Sequence, residues 1–203
     1  MIYLTIWSNC ITMPLDQIVN LLKGGNMPLI KTYETDEATG ELAKLYEMIT
    51  SMRGRVGNNA KLYSASPELL RQQMEFIKYY MQHSTLSMPL LASIRVLVSS
   101  GEDCDFCIDY NTAMLINMAG WSYEQVQAMR QDMDKANLAP KEIAMLKLAI
   151  KAIRNAHAIN ADDLDTLREM GWSDKDILDA VNHATRMLAT DIIFNTFKIE
   201  KDV

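Results

Sequence analysis

Two cysteines stand three residues apart in the run Gly101-Glu102-Asp103-Cys104-Asp105-Phe106-Cys107-Ile108-Asp109-Tyr110-Asn111. On a helix, Cys104 and Cys107 share a face, and Asn111, one turn beyond Cys107, lies on that face too. A thiol near a helix N-terminus meets free backbone N–H groups and the positive end of the helix dipole, and both favour thiolate. Thiolate is the species that attacks peroxides and disulfides, and a neighbouring thiol can resolve the product into a disulfide. Glu102, Asp103, Asp105 and Asp109 act in the opposite direction, because nearby negative charge raises a thiol pKa. No Lys or Arg lies within the run, and Arg95 is the nearest basic residue in sequence. Which effect prevails depends on where the carboxylates point.

Other chemistries are less well served. A structural zinc site needs two further ligands. Cys10, His83, His157 and His183 are the soft candidates, and none stands at metal-ligand spacing from the pair, so neither a metal nor a cofactor is expected. Cys10 fits a small core residue, and the histidines fit surface or satisfied core positions.

The chain has 203 residues, a net charge of −6 and three cysteines. An odd, low cysteine count excludes a disulfide scaffold and suits a reducing compartment, so a cytoplasmic location is expected. No basic face offers a footprint for nucleic acid. No apolar run approaches the roughly 20 residues of a membrane span. The apolar start, Met1 to Cys10, lacks the basic residues and cleavage site of a signal peptide. Fifteen methionines suit flexible filling of a helical core.

The elements that must position the pair read almost entirely as helix. Residues 1–26 form an expected N-terminal appendage, with 27–203 as the main domain. Thr35 or Asp36 can cap a helix over 37–52 with Leu42, Leu45, Tyr46 and Ile49 on one face. Ser66-Pro67-Glu68 opens a helix running to about 83. Ser87 opens an apolar one that Ser99-Ser100-Gly101 is expected to break, and Asp103 can cap the next, over 104–118. Pro140 starts a helix reaching about 155, and a final helix over 174–198 is apolar enough for a core or a subunit interface. Met118-Ala119-Gly120-Trp121-Ser122 recurs as Glu169-Met170-Gly171-Trp172-Ser173, 51 residues later, with Val126 and Ile177 in register. In each copy Gly ends a helix and Ser caps the next, which suggests a duplicated helical hairpin. The expected fold is all-α: a single multi-helical domain of about nine helices with an internal hairpin repeat.

From Leu29 to the C-terminus the chain resembles the alkyl hydroperoxidase D-like, or carboxymuconolactone decarboxylase, family, and is most similar to its peroxidase-related branch. The likeness rests on Asp36-Glu37-Ala38-Thr39-Gly40-Glu41-Leu42, on Ser66-Pro67-Glu68-Leu69-Leu70, and on Cys104-Asp105-Phe106-Cys107 after a long apolar helix. Gly171-Trp172-Ser173-Asp174 followed by Ile177-Leu178-Asp179-Ala180-Val181 adds to it. The resemblance implies an all-α fold, a homotrimer or homohexamer, and hydroperoxide reduction in which Cys107 attacks, Cys104 resolves and a dithiol reductant restores the pair. The family's His, four residues after the second cysteine, is Asn111 here, and its Glu, twelve before the first, is Ala92. Asn cannot act as a general base. Asp109, Tyr110 and Glu102 are the nearby groups that could substitute.

The expected function is therefore thiol-dependent antioxidant chemistry, with a hydroperoxide or disulfide as substrate and Cys107, Cys104 and Asn111 as the site. Two alternatives are a non-catalytic oligomeric binding or regulatory protein that kept the fold, and a lactone decarboxylase, which needs no thiol pair.

Overall fold

The computed structural model describes residues 28–202 and contains nine α-helices, with no strand among the described residues. Residues 1–26, the expected appendage, and Cys10 with them lie outside the described residues. No described helix is long and apolar enough to cross a membrane.

The described residues fall into two compact units. The smaller comprises residues 28–65 and 197–202. Its main helix, α1 (Gly40–Arg53), buries Leu42, Leu45, Tyr46 and Ile49, the stripe expected at helical spacing. Thr39 occupies the N-cap rather than Thr35 or Asp36, because residues 35–37 close a turn first. A short α2 (Asn58–Leu62) follows. Tyr46 donates its hydroxyl to the Tyr33 carbonyl at 2.8 Å, and the Asp202 carboxylate accepts from the Asn58 amide at 2.7 Å.

The larger unit, residues 66–196, carries the cysteine pair. It contains α3 (Pro67–Met81), α4 (Met88–Gly101), α5 (Asp105–Ala119), α6 (Tyr123–Gln131), α7 (Pro140–Asn155), α8 (Ala161–Glu169) and nearly all of α9 (Asp174–Phe197). Helix α4 is apolar around almost its whole circumference and is accordingly central, with Leu90, Leu91, Ala92, Ile94, Val96, Leu97 and Val98 buried. Ser87 caps it, accepting from the Leu90 amide at 3.2 Å, while its hydroxyl donates to Glu142 on α7 at 2.5 Å.

Ser99, Ser100 and Gly101 do not break α4; the helix runs through them. Their hydroxyls have other partners: Ser100 back-bonds to the Val96 carbonyl at 2.7 Å and Ser99 donates to Asp191. A serine whose hydroxyl is occupied in this way does not compete with the helical backbone.

The hairpin repeat is present as α5–α6 and α8–α9. Gly120 (φ 71°) and Gly171 (φ 90°) take the left-handed conformation that ends a helix. Trp121 and Trp172 are buried just after them. Ser122 caps α6 through a reciprocal pair with Gln125, and Ser173 makes the matching pair with Asp176 on α9.

Helix α9 presents a buried stripe of Ile177, Ala180, His183, Ala184, Met187, Asp191 and Phe194. Of the polar residues in that stripe, Asp191 meets the cysteines and His183 meets Arg95 on α4. Farther along, Asp179 accepts from Tyr79 at 2.8 Å and from His83 at 3.0 Å, tying α3 to α9. His83 thus sits in a satisfied core position as expected, and His157 is exposed.

Candidate active site

The link between α4 and α5 turns sharply. Asp103 adopts φ 51°, a left-handed conformation tolerated best by Gly, Asn and Asp, and it is not the helix cap. That turn aims the Cys104 amide at the Ser99 carbonyl, 3.1 Å away, and makes Cys104 the N-cap of α5. Cys107 follows in the first turn. Both cysteines are free thiols, 1% and 2% exposed.

A carboxylate from the other end of the larger unit's sequence completes the cluster. Asp191 of α9 is 0% exposed, and one of its oxygens and the two sulfurs lie within 4.8 Å of one another. The Ser99 hydroxyl stands 3.0 Å from each carboxylate oxygen. Burial is the largest influence on Asp191 and pushes its pKa up to about 6, with the negative charge of Glu102 adding to the rise. Hydrogen bonds from Cys107, Ser99 and Cys104 pull it partly back. The Cys107 thiol is held well above its ordinary value, first by its hydrogen bond with Cys104, then by burial and by the Asp191 charge. The contest set up by the sequence is thus settled against thiolate: at rest Cys107 is a thiol, and the helix N-terminus does not outweigh burial beside a carboxylate.

Glu102, Asp109 and Tyr110 are not buried with the sulfurs. Asp109 and Tyr110 lie on the exposed side of α5, Asp103 and Asp105 are exposed as well, and Glu102 acts only as a nearby charge. Asp191 is the carboxylate that meets the thiols, and the reading of the sequence missed it.

Asn111 is buried where helical spacing puts it, but its amide does not face sulfur. Its Nδ2 donates to the Cys107 carbonyl at 2.8 Å, and its Oδ1 accepts from Arg95 Nε at 2.5 Å. Arg95, one turn after the wholly buried Ala92 on α4, also donates from Nη1 to His183 Nε2 at 3.0 Å. Arginine only donates, so His183 accepts at Nε2 and carries its proton on Nδ1. Nδ1 has no hydrogen-bond partner among the described residues, and the influence of the Leu91 backbone offsets only part of the effect of burial. Burial, with the Arg95 charge beside it, drives the His183 pKa down to about 3, so the ring is neutral at physiological pH. Arg95, Asn111 and His183 thus form a polar chain behind Cys107, with the Arg95 cation bridging the Asn111 amide and the His183 ring.

No family model matches the sequence, and no curated protein matches it either. Solved structures do. A peroxidase-related protein from Silicibacter sp. TM1040 superposes with a TM-score of 0.78 at 24% identity, over 89% of this chain and 95% of its own. A peroxidase-related protein from Ralstonia eutropha, described as an alkylhydroperoxidase AhpD core, gives 0.75 at 20% identity over 88% of this chain and 94% of its own. The fold is therefore the all-α fold of the AhpD-like, peroxidase-related proteins.

Proposed function

We propose that this chain is a thiol-dependent oxidoreductase that reduces hydroperoxides through Cys104 and Cys107, with Asp191 as the proton acceptor. The observation that carries this reading is the buried contact among two thiols and one carboxylate of raised pKa. Asp191 takes the Cys107 proton as its sulfur attacks the distal peroxide oxygen. The O–O bond breaks, the alkoxide leaves as an alcohol by taking up that proton, and Cys107 becomes a sulfenic acid. The Cys104 sulfur then attacks the Cys107 sulfur, water leaves, and a disulfide forms. A dithiol reductant returns the pair to two thiols by exchange.

In this scheme Arg95 and Asn111 position the backbone of Cys107 and take no proton. Residues 1–26 take no part in the chemistry, and the compartment is the reducing cytoplasm. Helix α9 leaves Leu178 and Ile192 exposed, at 68% and 53%, which suits a homotrimer or homohexamer. Light scattering is expected to give a mass of three or six times 23.0 kDa, and a stable monomer at micromolar concentration would refute the assembly.

The near-complete burial of both sulfurs favours a second reading, a non-catalytic oligomeric protein that kept the fold. Counting free thiols separates the two. Stoichiometric hydroperoxide should remove two thiols from the reduced protein and a dithiol should restore them, whereas Cys107→Ser should not form the internal disulfide. A pair that stays reduced in folded protein under excess peroxide would leave the non-catalytic reading, or a decarboxylase that needs no thiol.

A further inference from the structure

The sequence offered no ligands to accompany the cysteine pair, because the third one is 84 residues beyond Cys107, on α9. Sγ of Cys104, Sγ of Cys107 and a carboxylate oxygen of Asp191 all lie within 4.8 Å of one another, and all three residues are buried. We propose that Cys104, Cys107 and Asp191 bind Zn²⁺ when the pair is reduced. This goes beyond the redox reading and does not rest on it.

Three features support the assignment. The first is donor type. Two sulfurs and one carboxylate suit a borderline-soft cation such as Zn²⁺, and a single carboxylate is too little for Mg²⁺ or Ca²⁺. The second is spacing. Tetrahedral zinc with bonds of about 2.0–2.3 Å sets its ligands about 3.5–3.8 Å apart, so the three groups need close in by only about 1 Å. The third is electrostatics. Two thiolates and a carboxylate side by side repel one another, and a divalent cation among them reverses that cost. Ser99, whose hydroxyl already meets both Asp191 oxygens, orients the carboxylate as an outer partner. Three protein ligands leave the fourth position to water.

Binding replaces two thiol protons: Zn²⁺, two thiols and one carboxylate give a bis-thiolate, carboxylate-bound ion and two protons released. A bound ion therefore holds both sulfurs as ligands and blocks their oxidation, and a disulfide cannot bind it. Affinity must rise with pH, by about 100-fold per unit while both thiols are protonated in the free protein.

The test uses Co²⁺ as a spectroscopic probe on the reduced, anaerobic full-length chain carrying Cys10→Ser, so that only the pair reports. The expected result is a sulfur-to-cobalt charge-transfer band that saturates at one equivalent and is abolished by Zn²⁺. Cys107→Ser should remove the band, and Asp191→Asn should weaken binding by about 10-fold or more, while Asp191→Glu retains a carboxylate and recovers part of it. Absence of the band at excess Co²⁺, or equal affinity in Asp191→Asn, would overturn the site. Should Asp191→Asn not fold, the pH dependence in the parent protein decides, and an affinity that does not rise with pH overturns the proposal. Peroxide-driven thiol loss in the metal-free protein reads the redox proposal separately, so failure of one does not imply failure of the other.

Discussion

Asp191→Asn is expected to slow peroxide-driven loss of the Cys104 and Cys107 thiols by about 10²–10⁴-fold, the range usually supplied by a positioned general base. An amide preserves the shape of the carboxylate and still accepts from Ser99, but it cannot take a proton from sulfur. The proton transfer is uphill at rest. The Cys107 thiol is raised by Cys104, burial and the Asp191 charge, while Asp191 titrates near 6. The base must therefore act as the S–O bond forms, and the absolute rate should be modest. In the parent protein the rate should rise with pH through about 6, as Asp191 ionises, and then level off. Asp191→Asn should lose that step. Stopped-flow thiol titration between pH 5 and 8 measures both effects. A folded Asp191→Asn protein as fast as the parent would show that another group takes the proton.

Much of the scaffold was legible because its signals are local. Ser87, Ser122 and Ser173 cap helices where their side chains predict it, Pro67 and Pro140 open helices at their first positions, and Gly120 and Gly171 end them. Two local signals were overruled by their surroundings. Ser99 looked like a helix breaker, yet its hydroxyl belongs to Asp191, 92 residues away. Asp103 looked like an N-cap, yet the turn needs a residue with positive φ there, and the cap passes to Cys104.

The site was half legible for the same reason. The pair Cys104 and Cys107 announces itself by spacing, and Asn111 follows by helical register. Asp191 and His183 carry no motif. Their signal is contextual: both fall on the apolar stripe Ile177, Ala180, Ala184, Met187 and Phe194, where an ionisable side chain must find a buried partner. A polar residue on the buried face of an otherwise apolar helix is the sequence feature that could have pointed to α9. What it could not reveal is which partner, because the Arg95–His183 and Ser99–Asp191 contacts depend on how α4 packs against α9.

Those two polar residues also make opposite demands on stability as pH changes. Asp191 has its folded pKa raised from 3.8 to about 6, so between these values the native state holds a proton that the unfolded chain has released. Its contribution is greatest below about 4 and is lost as pH rises through 6, to a total of about 3 kcal/mol at 1.36 kcal/mol per pKa unit. His183 behaves in the reverse sense. Its folded pKa is lowered from 6.5 to about 3, so across that interval the unfolded chain binds the extra proton and stability increases as pH rises. Between about pH 4 and 6 the two slopes are each close to 1.4 kcal/mol per unit and opposite in sign. The parent protein should therefore show a nearly flat stability profile there. Asp191→Asn unmasks His183, so its urea midpoint should climb steadily from pH 4 to 6. His183→Gln unmasks Asp191, so its midpoint should fall over the same interval, and at pH 7 Asp191→Asn should gain stability relative to its own value at pH 4. Urea unfolding of the reduced proteins at half-unit steps from pH 4 to 7 tests this directly. Parallel profiles for the parent and both variants would mean that neither group is buried in the protonation state derived from its contacts.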